Sequence, residues 1–352
     1  MKKLIALLLC LVMVLSLCAC GAKEEEAPAP KADAPAQEAP AKQEEVKKEK
    51  VNLKFSTSTS ETSTWTLAAY KFAELVEEAS DGYITCDVYS SDQLSSGNQA
   101  KGVELVMNGS TDMSFHSNLV YSTIDDRFNV VSMPFMFANT DEVDAKLSGE
   151  AGDALKAILA EKGLTCLGFG ENGFRQITNS VREIKNLEDF AGIKFRINNS
   201  NMLIATYKAL GADPTSMNWS EVFTSLQQGA IEGQENPLDV IYSSSIHDVQ
   251  DYISLWGCTY DALFLCFNTK TLESLPEDYQ KIIIDCAAQC CEYQKEINRA
   301  NGEEQLAAFA EAGLTITQRE DMDMDTIIAA VQPVYDEYEE IIGADLLALF
   351  QE

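Results

Sequence analysis

An arginine inside an apolar strand is the first residue in this chain with an evident chemical use. Ile193-Lys194-Phe195-Arg196-Ile197 reads as a short strand, and a strand this apolar is normally covered on both faces. Arg196 therefore either snorkels to solvent or holds its guanidinium ready for an anion. A guanidinium is a planar fork that meets a carboxylate through two parallel N–H···O bonds, a geometry lysine does not offer. Further along, Gly233-Gln234-Glu235-Asn236-Pro237 reads as a polar turn between apolar runs, and such turns commonly carry binding groups. Material for catalysis is scarcer. There are only two histidines, His116 and His247, which leaves little for a histidine metal site or a catalytic triad. No nucleophile elbow, P-loop or dinucleotide-binding glycine motif stands at a strand-to-helix junction. The many acidic residues on helices read as solvated faces, so no enzyme is expected.

Ten cysteines are present, three of them within the first twenty residues. The other seven (Cys86, Cys166, Cys258, Cys266, Cys286, Cys290 and Cys291) form an odd set without a CxxC pair. Cys86 alternates with Ile84 and Val88 on one strand face, and Cys286 with Cys290 shares a helix stripe. Small buried hydrophobes explain these positions better than disulfides or metal ligands. Neither a metal nor a cofactor is expected.

The elements that must position Arg196 alternate between strand and helix. Val51–Phe55 reads as a strand, followed by a polar run and a helix with Trp65, Ala68, Ala69, Phe72, Leu75 and Val76 at helical spacing. A turn at Asp81-Gly82 leads to the strand Tyr83–Tyr89, then a helix Asn98–Met107 and a strand Asp112–Phe115. This alternation predicts an α/β chain with mainly parallel sheets and helices on both faces. Ligands of such sheets collect beyond the carboxyl ends of the strands, which places Ser56–Thr59 and Phe115–Asn118 near one crevice. Val130–Phe137, with its Pro134, fits an edge strand or a crossing segment. Around Arg196 the pattern continues with a helix Asn201–Leu210 stopped by Gly211, and a second helix capped by Ser220 and ended by Gly229. Glu277 to Ala312 reads as one helix about 50 Å long, or as two helices broken at Asn301-Gly302. Pro333 should kink or end the last helix.

With 352 residues the chain is long for a single core, and two domains are expected. The formal net charge of −30 argues against nucleic acid as a partner and against docking on anionic lipid. It does not argue against an anionic ligand, because surface charge is screened beyond roughly 8–10 Å. Residues 1–19 combine a basic start with an apolar run too short to span a bilayer, which reads as an export signal. Leu17-Cys18-Ala19-Cys20-Gly21 resembles a bacterial lipobox, so Cys20 is the expected acylated N-terminus; the other reading is an ordinary cleaved secretory signal. From Gly21 to Lys50 the chain is rich in Ala, Pro, Glu and Lys, a composition that cannot bury enough surface to order itself and reads as a solvated tether.

The combination Lys194-Phe195-Arg196, Gly211-Ala212-Asp213-Pro214, Ser220-Glu221-Val222-Phe223 and Gly233–Pro237 resembles the substrate-binding proteins of TRAP (tripartite ATP-independent periplasmic) transporters, the DctP family. The likeness runs from about Val51 to about Glu340. It implies a two-domain clamp of the periplasmic-binding-protein type, with a long helix bridging both domains. The first domain would comprise 51–172 plus 262–300, and the second 173–261 plus 301–352. In the family the strand arginine, here Arg196, grips the ligand's carboxylate, and a second arginine, matched by Arg175, assists. On residue chemistry alone, the other reading of Arg175 is a domain-surface salt bridge. Asn236 and Asn199 match ligand-contacting positions. Trp219 stands where an aromatic wall is usual, or is simply a packing residue at a helix start. Ser58 and His116 match positions that face the ligand in relatives, with His116 as an ordinary packed histidine the alternative. The implied function is capture of a small organic acid by a monomeric, lipid-anchored, extracytoplasmic protein and its delivery to TRAP membrane subunits. The same clamp could instead serve a sensor or an ABC importer, whereas an enzyme would show turnover.

Overall fold

The computed structural model describes residues 49–351. The leader, Cys20 and nearly all of the expected tether lie outside the described residues. The strands in chain order are β1 (Val51–Thr57), β2 (Ile84–Tyr89), β3 (Met113–Ser117), β4 (Leu164–Phe174), β5 (Gln176–Asn179), β6 (Lys194–Ile197), β7 (Asp213–Ser216), β8 (Gly233–Asn236), β9 (Tyr252–Ser254), β10 (Tyr260–Asn268) and β11 (Thr315–Thr317). They form two mixed sheets flanked by helices, ordered β2-β1-β3-β10-β4 and β11-β9-β5-β8-β6-β7. Each sheet is parallel apart from one strand. β10 runs against β3 and β4 in the first, and β5 against β8 and β9 in the second. The chain passes between sheets three times: at Arg175, between β4 and β5; between β9 and β10; and between β10 and β11.

Local sequence accounts for most of these elements. In β1, Leu53 and Phe55 point into the core while Asn52 and Lys54 stay exposed. β10 is buried at every position, as expected for a strand with a partner on each edge and helices on both faces. Ser63 caps the helix Thr64–Ala79 by accepting from the Trp65 amide, and Trp65, Ala68, Ala69, Phe72 and Val76 form its buried stripe. The seven described cysteines are all free; five are buried, while Cys86 and Cys166 are partly so.

Several expectations need correction. Gly233–Asn236 is a buried strand, not a turn, because β5 and β6 on either side satisfy its backbone and its polar side chains find partners. Residues 126–132 form a 3-10 helix in place of part of the expected strand at Val130–Phe137. The long helix is two, Glu277–Ala300 and Gly302–Glu311, parted at Asn301. The first packs on Thr64–Ala79 and β4, the second on the helix Leu238–Ser243, so together they join the surroundings of both sheets. Pro333 lies inside the helix Met324–Ile342 without ending it. Ser220 caps nothing: its hydroxyl donates to the Gly97 carbonyl at 3.1 Å, from the side of the second sheet to that of the first.

Gly233 shows how closely the second sheet is built. A Cβ there would lie 2.5 Å from the Phe195 ring and 2.7 Å from the Thr178 carbonyl oxygen. Both neighbours are buried, one of them backbone. Gly233→Ala should therefore cost about 1–3 kcal/mol through overpacking, read as a lower urea midpoint at unchanged m-value.

Candidate functional site

Arg196 occupies the middle of the buried end of β6 and is only 2% exposed, so it does not snorkel. Its Nε and Nη2 donate to the Met217 carbonyl at 3.0 and 2.8 Å. The guanidinium also lies over the Trp219 ring, 5.4 Å from the centroid. These contacts orient the fork but supply no counter-charge, and among the described residues no acceptor takes Nη1. Burial lowers the pKa of Arg196; the Glu235 carboxylate opposes the fall and the Arg175 charge adds to it.

Arg175, at the crossing between the sheets, has the opposite surroundings. It is buried between two carboxylates, with Nε and Nη2 on Glu235 of β8 and Nη1 on Asp261 of β10. Nη2 reaches the Glu235 carboxylate at 2.7 Å, its backbone carbonyl at 2.8 Å and the Asn236 Oδ1 at 2.9 Å. Asn236 in turn donates Nδ2 to Gln234 Oε1 at 2.7 Å. Asp261 also accepts from Ser117 Oγ at 2.6 Å and Asn172 Nδ2 at 2.8 Å. Burial pushes both carboxyls above their ordinary range while Arg175 pulls them back. Arg175 is thus a buried ion-pair centre rather than a surface salt bridge.

Arg175, Arg196, Asn236 and Trp219 line one cleft between the two sheets. Three other expected residues are elsewhere. Asn199 is exposed and accepts from Ser216 Oγ, while its neighbour Asn198 faces the cleft. Ser58 borders an adjoining cavity and donates to Asp92 Oδ1 at 3.0 Å. His116 is fully buried, with Nε2 3.4 Å from the same Asp92 oxygen and Nδ1 without a partner among the described residues. The cleft also takes in residues not singled out individually: Thr59 after β1, Gln99 opening a helix, and Asp261. Thr59 and Ser117 do fall in the crevice segments expected from the strand ends. Asn198 follows from Arg196 by the two-residue period of an extended chain. Asp261 carried the same signal as Arg196, a charge in an otherwise apolar strand.

Comparison with known proteins bears directly on such a cleft between two sheets. Residues 55–341 match the model of the bacterial extracellular solute-binding proteins, family 7, DctP. The chain belongs to this family. The 2,3-diketo-L-gulonate-binding periplasmic protein YiaO of Escherichia coli is 31% identical over 303 residues, covering 85% of this chain and 91% of that one. The sugar acid binding protein from Advenella mimigardefordensis, solved with galactonate, superposes with a TM-score of 0.82 at 29% identity over 86% of this chain and 97% of that one. A TRAP periplasmic solute-binding protein from Sulfurospirillum deleyianum, solved with succinate, gives 0.81 at 26% identity over 86% and 99%. The DctP chain described here is accordingly a solute-binding protein with a two-domain clamp fold, and not an enzyme.

Removing Arg175 would strand Glu235 and Asp261 in the interior. Arg175→Met should destabilise the protein by about 3–5 kcal/mol at neutral pH. A carboxyl whose folded-state pKa is raised holds its proton more tightly folded than unfolded, so its contribution to stability falls as pH rises. Without Arg175 to pull them back, both carboxyls rise further. The variant should therefore regain part of its loss as the pH is lowered from 7 to 5, measured by urea denaturation across that range.

Proposed function

We propose that this DctP-family protein captures a small organic acid through its carboxylate on Arg196 and delivers it to the membrane subunits of a TRAP transporter. The observation that carries this reading is the contrast between the two buried arginines. Arg175 has two carboxylates, whereas Arg196 is held by one carbonyl and an aromatic ring, with part of its fork facing the cleft. A ligand carboxylate supplies the counter-charge that Arg196 lacks, and a water-poor cleft strengthens that pairing. Arg175 acts by holding Asn236 in place, and Trp219 forms both a wall and the support of the Arg196 fork.

Opening and closing would turn on the crossings at Arg175 and between β9 and β10, close to the boundaries expected at 172/173 and 261/262. Export, acylation of Cys20, attachment to the outer face of the cell membrane and a monomeric state complete the proposal; the lipobox Leu17–Gly21 and its following polar segment support the anchor.

Two measurements test this. Arg196→Ala should weaken binding of the acid retained by the purified protein by roughly 30-fold to several thousand-fold. Arg196→Lys should recover only part of the loss, because an ammonium does not reproduce two parallel bonds; binding by the lysine variant within about threefold of wild type would overturn the role given to the fork. Separately, Cys20→Ser should release the protein from the membrane fraction, and unchanged fractionation would remove the anchor.

A further inference from the structure

The charges and hydrogen-bond vacancies around the cleft say more about the solute than that it carries a carboxylate. Only two of the residues lining the cleft are cationic, Arg175 and Arg196, and Arg175 is already matched by Glu235 and Asp261. The charges of Arg175, Arg196, Glu235 and Asp261 sum to zero. One ligand carboxylate on Arg196 leaves the group at a single negative charge. A second carboxylate would add another, in a cleft already lined by the anionic Asp261 and with no further cation to receive it. Like charges brought together in a desolvated site cost several kcal/mol.

The remaining polar lining is neutral and partly unpaired. Thr59, on the first-sheet side, is only 3% exposed, and its Oγ1 has no hydrogen-bond partner among the described residues. Asn198, on the opposite side with Arg196, spends its Oδ1 on the Ser200 amide, and its Nδ2 has no partner among the described residues. Asp261 takes three donors, which leaves room for one more on a carboxylate. These groups suit hydroxyls, which donate and accept, rather than a second anion.

We infer that the cleft selects a small monocarboxylate bearing hydroxyl groups over a dicarboxylate, with Thr59 receiving a hydroxyl remote from the carboxylate. This rests on the assignment of the ligand carboxylate to Arg196. Buried polar groups left unpaired by a ligand that lacks the matching hydroxyl are the usual source of strong rejection.

Calorimetric titration of the purified protein with C4 to C6 aldonates, and with saturated dicarboxylates of the same lengths, tests the inference. At least one aldonate should bind about 100-fold or more tightly than the dicarboxylate of equal length. Thr59→Val should weaken that aldonate by about 5- to 30-fold, and Thr59→Ser, which keeps the hydroxyl, should restore most of the affinity. Aldonate affinity within about twofold of wild type in Thr59→Val would remove Thr59 from the selection. A dicarboxylate that binds as tightly as its aldonate counterpart, and is lost in Arg196→Ala, would overturn the inference while leaving carboxylate capture in place. Absence of binding by every acid in both series, with the protein folded by its melting transition, would overturn both.

Discussion

The pairing of Arg175 with Glu235 and Asp261 is the constraint on which the rest of the site depends. Its three members come from the crossing between the sheets, from β8 and from β10. Burying three charges is expensive, and only mutual satisfaction makes it tolerable. The arrangement therefore fixes where β8 stands relative to the returning strand, and with it the position of Asn236. A shift of either strand would leave a buried carboxylate without its partner. The cost of such a shift makes the cleft wall stiff where the ligand must be read.

Stiffness at Arg175 gives Arg196 its usefulness. Two arginines of the same burial do different work because their surroundings differ. One has its charge answered within the protein. The other is aimed by the Met217 carbonyl and the Trp219 ring, neither of which neutralises it. A binding group that is oriented but not neutralised is preorganised, so little ordering entropy is lost when an anion arrives. The solute-binding clamps with which this chain shares its fold were solved with galactonate in one case and succinate in another. The shared architecture thus accommodates differently charged acids, and selection falls to the side chains that surround the fork.

Much of this was legible in the amino-acid order. Alternating or helical spacing located β1, β2 and the helix Thr64–Ala79, and an unbroken apolar run located the strand around Arg196, which is buried at three consecutive residues. Reading failed where tertiary neighbours decide. Gly233–Asn236 looks like a turn by composition, yet strands on both sides and the Arg175 network satisfy its polar groups. Between one long helix from Glu277 and two broken at Asn301-Gly302, the apolar stripe did not decide; the structure has the two. Beside Arg196, Asn198 faces the cleft whereas Asn199 is exposed, a difference of one residue that the two-residue period of an extended chain explains. Asp261 was overlooked because an acid in an apolar strand has no meaning until its cation is known, and Arg175 lies 86 positions away.

The free cysteines carry a consequence for the life of the chain before it folds. Thiol oxidation and disulfide exchange proceed through the thiolate. Burial raises the pKa of Cys86, Cys258, Cys266, Cys286, Cys290 and Cys291, so these six present almost no thiolate to an oxidant. Nothing comparable shields them in the unfolded chain, where they are accessible and ordinary in acidity. In an oxidising compartment such thiols would turn folding into a race, with mispaired disulfides collecting in any variant that folds slowly. The same core that renders the thiols inert makes them a clock on how fast that core must form.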